Sequence, residues 1–164
     1  MPTLTALLTD IRACTLCVAR LLIAGQAPGR KVNETGVPFN DASGALLRAW
    51  LGLSREEFYD ARQVAIVPTG FCYPGTGPSG DLPPRPECAP AWRTPLLAHL
   101  KHIELTLAVG RYAQAWHLPH PSPRNNGWLK RNPWFEAELL PVLRARVQEV
   151  LGVCITVKEP CSTP

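Results

Sequence analysis

Apolar and polar positions follow two rhythms along this chain. At residues 3–13, Leu4, Leu7, Leu8 and Ile11 recur at the three-and-four spacing of a helix, and Thr3 is a suitable cap. The same rhythm returns at 43–51 (Leu46, Leu47, Trp50), at 90–100, and in a long segment that Asn132 caps, Pro133 opens and Leu151 ends. Ser54-Arg55-Glu56-Glu57 has the form of a capping box and predicts a short helix. A further helix begins at 112–116, where Ala113 is small enough for close packing. Short apolar runs at 21–24, 64–67 and 103–109 read as buried strands, and 153–157 is one more short apolar run. Strands alternating with helices predict a single α/β domain over 1–164. Its expected form is a three-layer α/β/α fold around a mostly parallel sheet of about four strands, with 158–164 as a frayed tail.

The polar stretches fall where the predicted strands end. The first runs Gly25-Gln26-Ala27-Pro28-Gly29, continues through Thr35-Gly36-Val37-Pro38-Phe39-Asn40-Asp41 and closes at Gly44. In open α/β sheets, loops at this edge build the ligand site. Phe39 is a ring in a glycine- and proline-rich loop, a place that suits stacking on a flat ligand, although a ring is equally at home in a core. Asp41 can cap the following helix or position a water. A second loop starts at Pro68-Thr69-Gly70 and runs into an irregular proline- and glycine-rich stretch, 74–90, of the length that functional loops have. A third carries His120, Ser122 and Asn125. Two connections, 18–20 and 110–119, are short for a parallel sheet.

Composition narrows this picture. The chain carries a net charge of +4 and 46% apolar residues, which permits a nucleic-acid partner without demanding one. No apolar run approaches the ~20 residues of a membrane span. The N-terminal residues lack the apolar region of a signal peptide, so a cytoplasmic protein is expected. In that compartment six cysteines point to metal or redox chemistry more than to disulfides. Cys14-Thr15-Leu16-Cys17 is a C-x-x-C pair, a spacing that serves one metal, two corners of an iron–sulfur cluster, or a redox couple. The phosphate-loop, dinucleotide and nucleophile-elbow patterns are all missing from the sequence, which weakens nucleotide-binding and serine-hydrolase readings.

Taken together, these residues resemble the uracil-DNA glycosylase superfamily, most closely its iron–sulfur-containing family four branch. Gly25 to Gly29, with Thr35-Gly36-Val37-Pro38-Phe39 and Gly44, is similar to that branch's first motif. His120-Pro121-Ser122 is similar to its second, and Leu107-Ala108-Val109-Gly110-Arg111-Tyr112-Ala113 to the segment between them. Cys14, Cys17, Cys72 and Cys88 match its four cluster cysteines. The resemblance implies a DNA glycosylase acting as a monomer on DNA, with a 4Fe-4S cluster on those four thiols (zinc being the other metal for such a set).

It also implies site roles. Phe39 would stack on a flipped base, while Gly25, Ala27 and their backbone neighbours contact it, with Ser122 beside them. His120 would donate to the base as negative charge develops there. Arg124 and Asn125 would fill the vacated stack, and Lys130 and Arg131 would meet phosphates. No lysine lies in either motif, so no Schiff base is expected. This chain departs from the branch at three positions: Gln26 stands where an acid is usual, Pro68 where an asparagine reads uracil, and Asn33 where an aspartate is frequent. Gln26 keeps a hydrogen-bonding amide at a catalytic position, Asn40 is the candidate replacement amide, and Asp41 or Glu34 the candidate carboxylate that positions the water. Uracil specificity therefore does not carry over from the resemblance. A binding module for damaged DNA, or a glycosylase for hypoxanthine or xanthine, remains the alternative.

Overall fold

The computed structural model describes residues 18–78, 80–110 and 117–152. The predicted helices at 3–13 and 112–116, the run at 153–157, the tail, and Cys14, Cys17, Cys154 and Cys161 lie outside them.

Three apolar runs form the strands β1 (Leu21–Gly25), β2 (Val64–Pro68) and β5 (Leu105–Val109). Between the last two, a small hairpin pairs β3 (Thr76–Gly77) with β4 (Gly80–Asp81) in antiparallel fashion. A fourth sheet strand, β6 (His117–Leu118), completes the main sheet in the order β2-β1-β5-β6. All its neighbours are parallel, with Ile23 opposite both Ile66 and Leu107, and Ala108 opposite His117. β1 is central and buried at all its positions, as a parallel strand covered on both faces must be.

Helices flank this sheet to give the three-layer α/β/α architecture. They are α1 (Arg30–Thr35), α2 (Ala42–Leu51), α3 (Arg55–Phe58), α4 (Thr94–Leu97), α5 (Asn126–Arg131) and α6 (Leu140–Leu151). Wide helical turns at Ala89–Arg93 and Phe135–Leu139 lead into α4 and α6. On one sheet face Leu21, Ile23, Leu107 and Val109 pack with Leu47, Trp50, Phe58, Phe135, Leu140 and Val147 into the main core. Trp50 and Phe135 meet edge to face at 5.0 Å. Strand alternation sends Leu22, Ala24 and Ala108 to the opposite face, where they are also buried.

The helix ends follow their local chemistry. Ser54 and Glu57 exchange both bonds of a capping box at α3. Arg144 of α6 donates to the carbonyls of Ala49 and Trp50 in the last turn of α2, where the Ala49 carbonyl also accepts from the Gly52 N–H. Asn132 differs from its expected role as a helix cap. It ends α5, its amide donating to the Trp128 carbonyl at 2.8 Å and its oxygen accepting from the Trp134 indole.

Candidate active site

β1 and β2 end side by side, and their following loops are zipped together. The Thr69 N–H and hydroxyl both donate to the Gly25 carbonyl, and the Gly70 N–H donates to the Gln26 carbonyl at 2.8 Å. This fixes the 25–29 ribbon at the sheet edge. Beyond it lies a cleft of about 620 Å³ whose walls include Gly25, Gln26, Ala27, Phe39, Asp41, Pro68, Asp81, His120, Ser122 and Arg124.

Phe39 is held there by an over-determined turn. Its φ of 54° is left-handed, and it is the only described non-glycine residue in that region. Such a conformation costs on the order of 1–2 kcal/mol for a side chain with a Cβ. Three contacts hold it. The Tyr59 hydroxyl donates to the Pro38 carbonyl at 2.6 Å, and Arg48 donates to the Phe39 carbonyl at 3.3 Å. That same carbonyl presses on α2 at Gly44, where an added Cβ would lie 1.7 Å from its oxygen. Only glycine permits this approach. The ring then lies 3.7 Å from where a Cβ on Gly25 would stand, with Phe58 edge-on behind it at 6.1 Å.

Asp41 lines the cleft and is the N-cap of α2, its Oδ1 accepting from the Gly44 N–H at 3.0 Å. Asn40, the candidate amide, is not among the lining residues, and its side-chain oxygen accepts from Arg55 at 3.0 Å. The Gln26 amide reaches across the mouth of the sheet to Gly110, where an added Cβ would fall 1.9 Å from its nitrogen. Pro68, opposite Gly25 in the sheet, also lines the wall and carries no side-chain hydrogen-bonding group.

His120 enters from the far side. The short β6 and buried Pro121 anchor its loop, which turns at Pro123–Asn125 into α5. The Asn125 amide donates to the His120 carbonyl at 2.6 Å, and its N–H donates to the Ser122 carbonyl at 2.9 Å. Asn125 thus closes the loop on itself and does not line the cleft. Burial pushes the His120 imidazole below its ordinary pKa. The Asp41 and Asp81 carboxylates pull it back up, and the Arg124 guanidinium adds to the lowering. The net direction keeps the ring neutral near pH 7, with one nitrogen donating and the other accepting.

Lys130 and Arg131 sit exposed on the last turn of α5, outside the cleft lining. Cys72 is exposed, Cys88 is buried, and both are free thiols at the two ends of the proline- and glycine-rich stretch. Among the described residues no three His, Cys, Asp or Glu side chains gather as a metal site. The proposed four-thiol set includes Cys14 and Cys17, outside that range.

Three charged lining residues have no forecast in the sequence pattern. Arg30 and Lys31 reach the cleft because residues 30–35 form α1 where a continuous loop is expected. Asp81 reaches it because the irregular stretch folds back as the β3–β4 hairpin. The turn-forming residues Gly77, Pro78, Ser79 and Gly80 in the sequence are the one signal of that hairpin.

Among the described residues no helix is long and apolar enough to cross a membrane. Among known families, the Uracil DNA glycosylase superfamily matches residues 13–144. The match spans β1, the Phe39 turn, the hairpin, the His120 loop and the start of α6. With that span and this strand-end cleft, the chain belongs to the uracil DNA glycosylase superfamily.

Proposed function

We propose that this chain is a monofunctional DNA glycosylase that extrudes uracil or a related deaminated base and hydrolyses its N-glycosidic bond with water. The carrying observation is that Phe39 and His120, 81 positions apart in sequence, line one cleft at the sheet edge. An enzyme acting on a base takes it out of the stack and holds it against an aromatic or apolar wall. Phe39, backed by Phe58, supplies that wall, with the 25–29 backbone beneath.

Breaking the bond between C1′ and the base nitrogen leaves an electron pair on the base. A fixed donor at the carbonyl oxygen where that charge collects lowers the barrier. The burial that favours a neutral His120 ring, and the Asn125 bond that fixes its loop, support that donor role. Gln26 contributes a neutral amide at the rim, and Pro68 has no N–H or side-chain donor with which to read a base edge. This favours a reaction class over a single substrate base. Arg30, Lys31 and Arg124 line the cleft, and Lys130 and Arg131 give the adjoining helix positive charge for the DNA backbone.

Cys14, Cys17, Cys72 and Cys88 are the proposed ligands of a 4Fe-4S cluster, as in family four. The free state of Cys72 and Cys88 and the four-sulfur donor set suit this assignment. A bound cluster would act structurally, tying the N-terminal segment to the loop. Anaerobically purified protein should absorb broadly near 400 nm and contain iron; a colourless protein with one zinc would reassign the site.

The test is a set of duplex and single-stranded oligonucleotides, each with one uracil, hypoxanthine, xanthine or mismatched base, scored for abasic sites. Base release without strand scission supports the proposal. Retarded mobility with no abasic product would make the chain a damage-binding module. Lys31 lines the cleft and is the specific reason to add borohydride. Trapping of a covalent DNA adduct that Lys31→Gln abolishes would replace hydrolysis by Schiff-base chemistry.

A further inference from the structure

Hydrolysis requires something the His120 donor does not supply: an acceptor for the proton of the attacking water. Two carboxylates line the cleft, Asp41 and Asp81. Asp41 is committed to the α2 N-terminus through the Gly44 N–H. Asp81 has no such duty. It ends the two-residue strand β4, on a hairpin that contributes nothing to the main core.

That hairpin is docked to both walls of the cleft. An added Cβ on Gly80 would lie 1.9 Å from Arg124 Nη1, so Arg124 rests directly on the hairpin backbone. Gly80 has a φ of 121°, a conformation that L side chains rarely adopt, so the docking depends on a glycine there. On the other side, Asp81 Oδ2 stands 3.3 Å from where a Cβ on Gly29 would be. Asp81 Oδ1 is oriented by the Thr76 hydroxyl at 3.4 Å, which in turn bonds to the Tyr73 hydroxyl. The carboxylate is thus presented beside the end of the 25–29 ribbon, in the cleft that His120 faces, and its charge is felt at the imidazole.

We infer that Asp81 is the carboxylate that orients and deprotonates the hydrolytic water in this cleft. The inference rests on the glycosylase reading above. In the step, the water oxygen bonds to C1′ as the C1′–N bond breaks. The bonding pair leaves with the base, whose oxygen is held by His120. The water proton passes to Asp81, and the base anion later takes a proton from solvent. The positive charge that develops on the sugar lies between an anionic carboxylate and an anionic leaving base, the order electrostatics prefers.

The experiment compares wild type, Asp81→Asn and Asp81→Ala in single-turnover base release on the best oligonucleotide substrate. Binding is measured separately with a non-hydrolysable 2′-fluoro nucleotide. General-base removal is expected to slow release on the order of 100-fold or more while the dissociation constant moves less than about threefold. Added formate should partly restore Asp81→Ala and leave Asp81→Asn unchanged, a rescue that a purely structural role would not give. Wild-type rates in both variants would overturn the assignment to Asp81 alone. So would a rate loss matched by an equal loss of binding and unaffected by formate. No abasic product from wild-type protein on any substrate would overturn the glycosylase reading, and this inference with it.

Discussion

Gly44→Ala should separate this site from an ordinary helical glycine. Within α2, alanine gains about 1 kcal/mol of helix propensity over glycine. An exposed site would keep that gain. Here the new Cβ would sit 1.7 Å from the Phe39 carbonyl oxygen, 2.6 Å from its carbon and 2.8 Å from the Phe39 Cβ. Backbone cannot absorb an overlap of that size, so the turn must move by more than about 1 Å. Moving it breaks the Tyr59 and Arg48 bonds to the Pro38 and Phe39 carbonyls, each worth about 1 kcal/mol. It also weakens the Asp41 cap, worth about 1 kcal/mol, and the Phe39–Phe58 contact, worth a further ~1 kcal/mol. Releasing the left-handed Phe39 returns about 1 kcal/mol. The net expectation is a loss of about 2 kcal/mol, or a Tm lower by roughly 4–8 °C for a domain of this size. On the proposed function, base release should fall by about 100-fold, because the ring proposed to stack on the base is displaced by an ångström or more. Thermal unfolding and single-turnover kinetics on the same preparation check both numbers. A variant as stable as wild type or more so, with an unchanged rate, would show that the Phe39 turn does not depend on a glycine at 44.

Asn125→Ala removes the amide that clamps the His120 carbonyl and should lower the release rate by about tenfold. DNA affinity should barely change, since the side chain is spent inside its own loop; a gel-shift titration beside the kinetics reads the split. For His120 the sign follows from linkage. Its folded pKa lies below the ordinary 6.5, so as pH falls through 6.5 the unfolded chain takes up a proton before the folded one. Stability should therefore rise with pH up to about 6.5 and gain nothing more from this group above it. Urea unfolding from pH 5 to 8 should show a flatter acid limb for His120→Gln than for wild type; parallel curves would show that burial does not hold this ring neutral.

Much of the frame was legible because it obeys local rules. The runs at 21–24, 64–67 and 103–109 appear as β1, β2 and β5 with boundaries shifted by one or two residues, and Ser54 to Glu57 makes both expected capping bonds. The first loop lies where a strand-end site belongs, and Phe39 and His120 face one cleft. The remainder depended on tertiary contact. β6 is two residues long, too short to carry a periodicity, and gains its strand identity only by pairing with Ala108 and Val109. The β3–β4 hairpin sat in a stretch whose prolines masked it, so nothing in the pattern placed Asp81 beside the cleft. Asn40 read as an amide for the ligand because Arg55, fifteen residues on, is invisible as its partner until α3 packs against the turn. Asp41 was legible as a cap or a water ligand; the bond to Gly44 establishes the cap.

The role proposed for His120 is to stabilise the charge developing on a base held against Phe39. Single-turnover release of base from a single-lesion duplex, by wild type and by His120→Ala at saturating protein, tests it most directly. Abasic product is expected from wild type and a rate lower by about 100- to 1,000-fold in the variant, with DNA binding retained. Equal rates for the two proteins would contradict it.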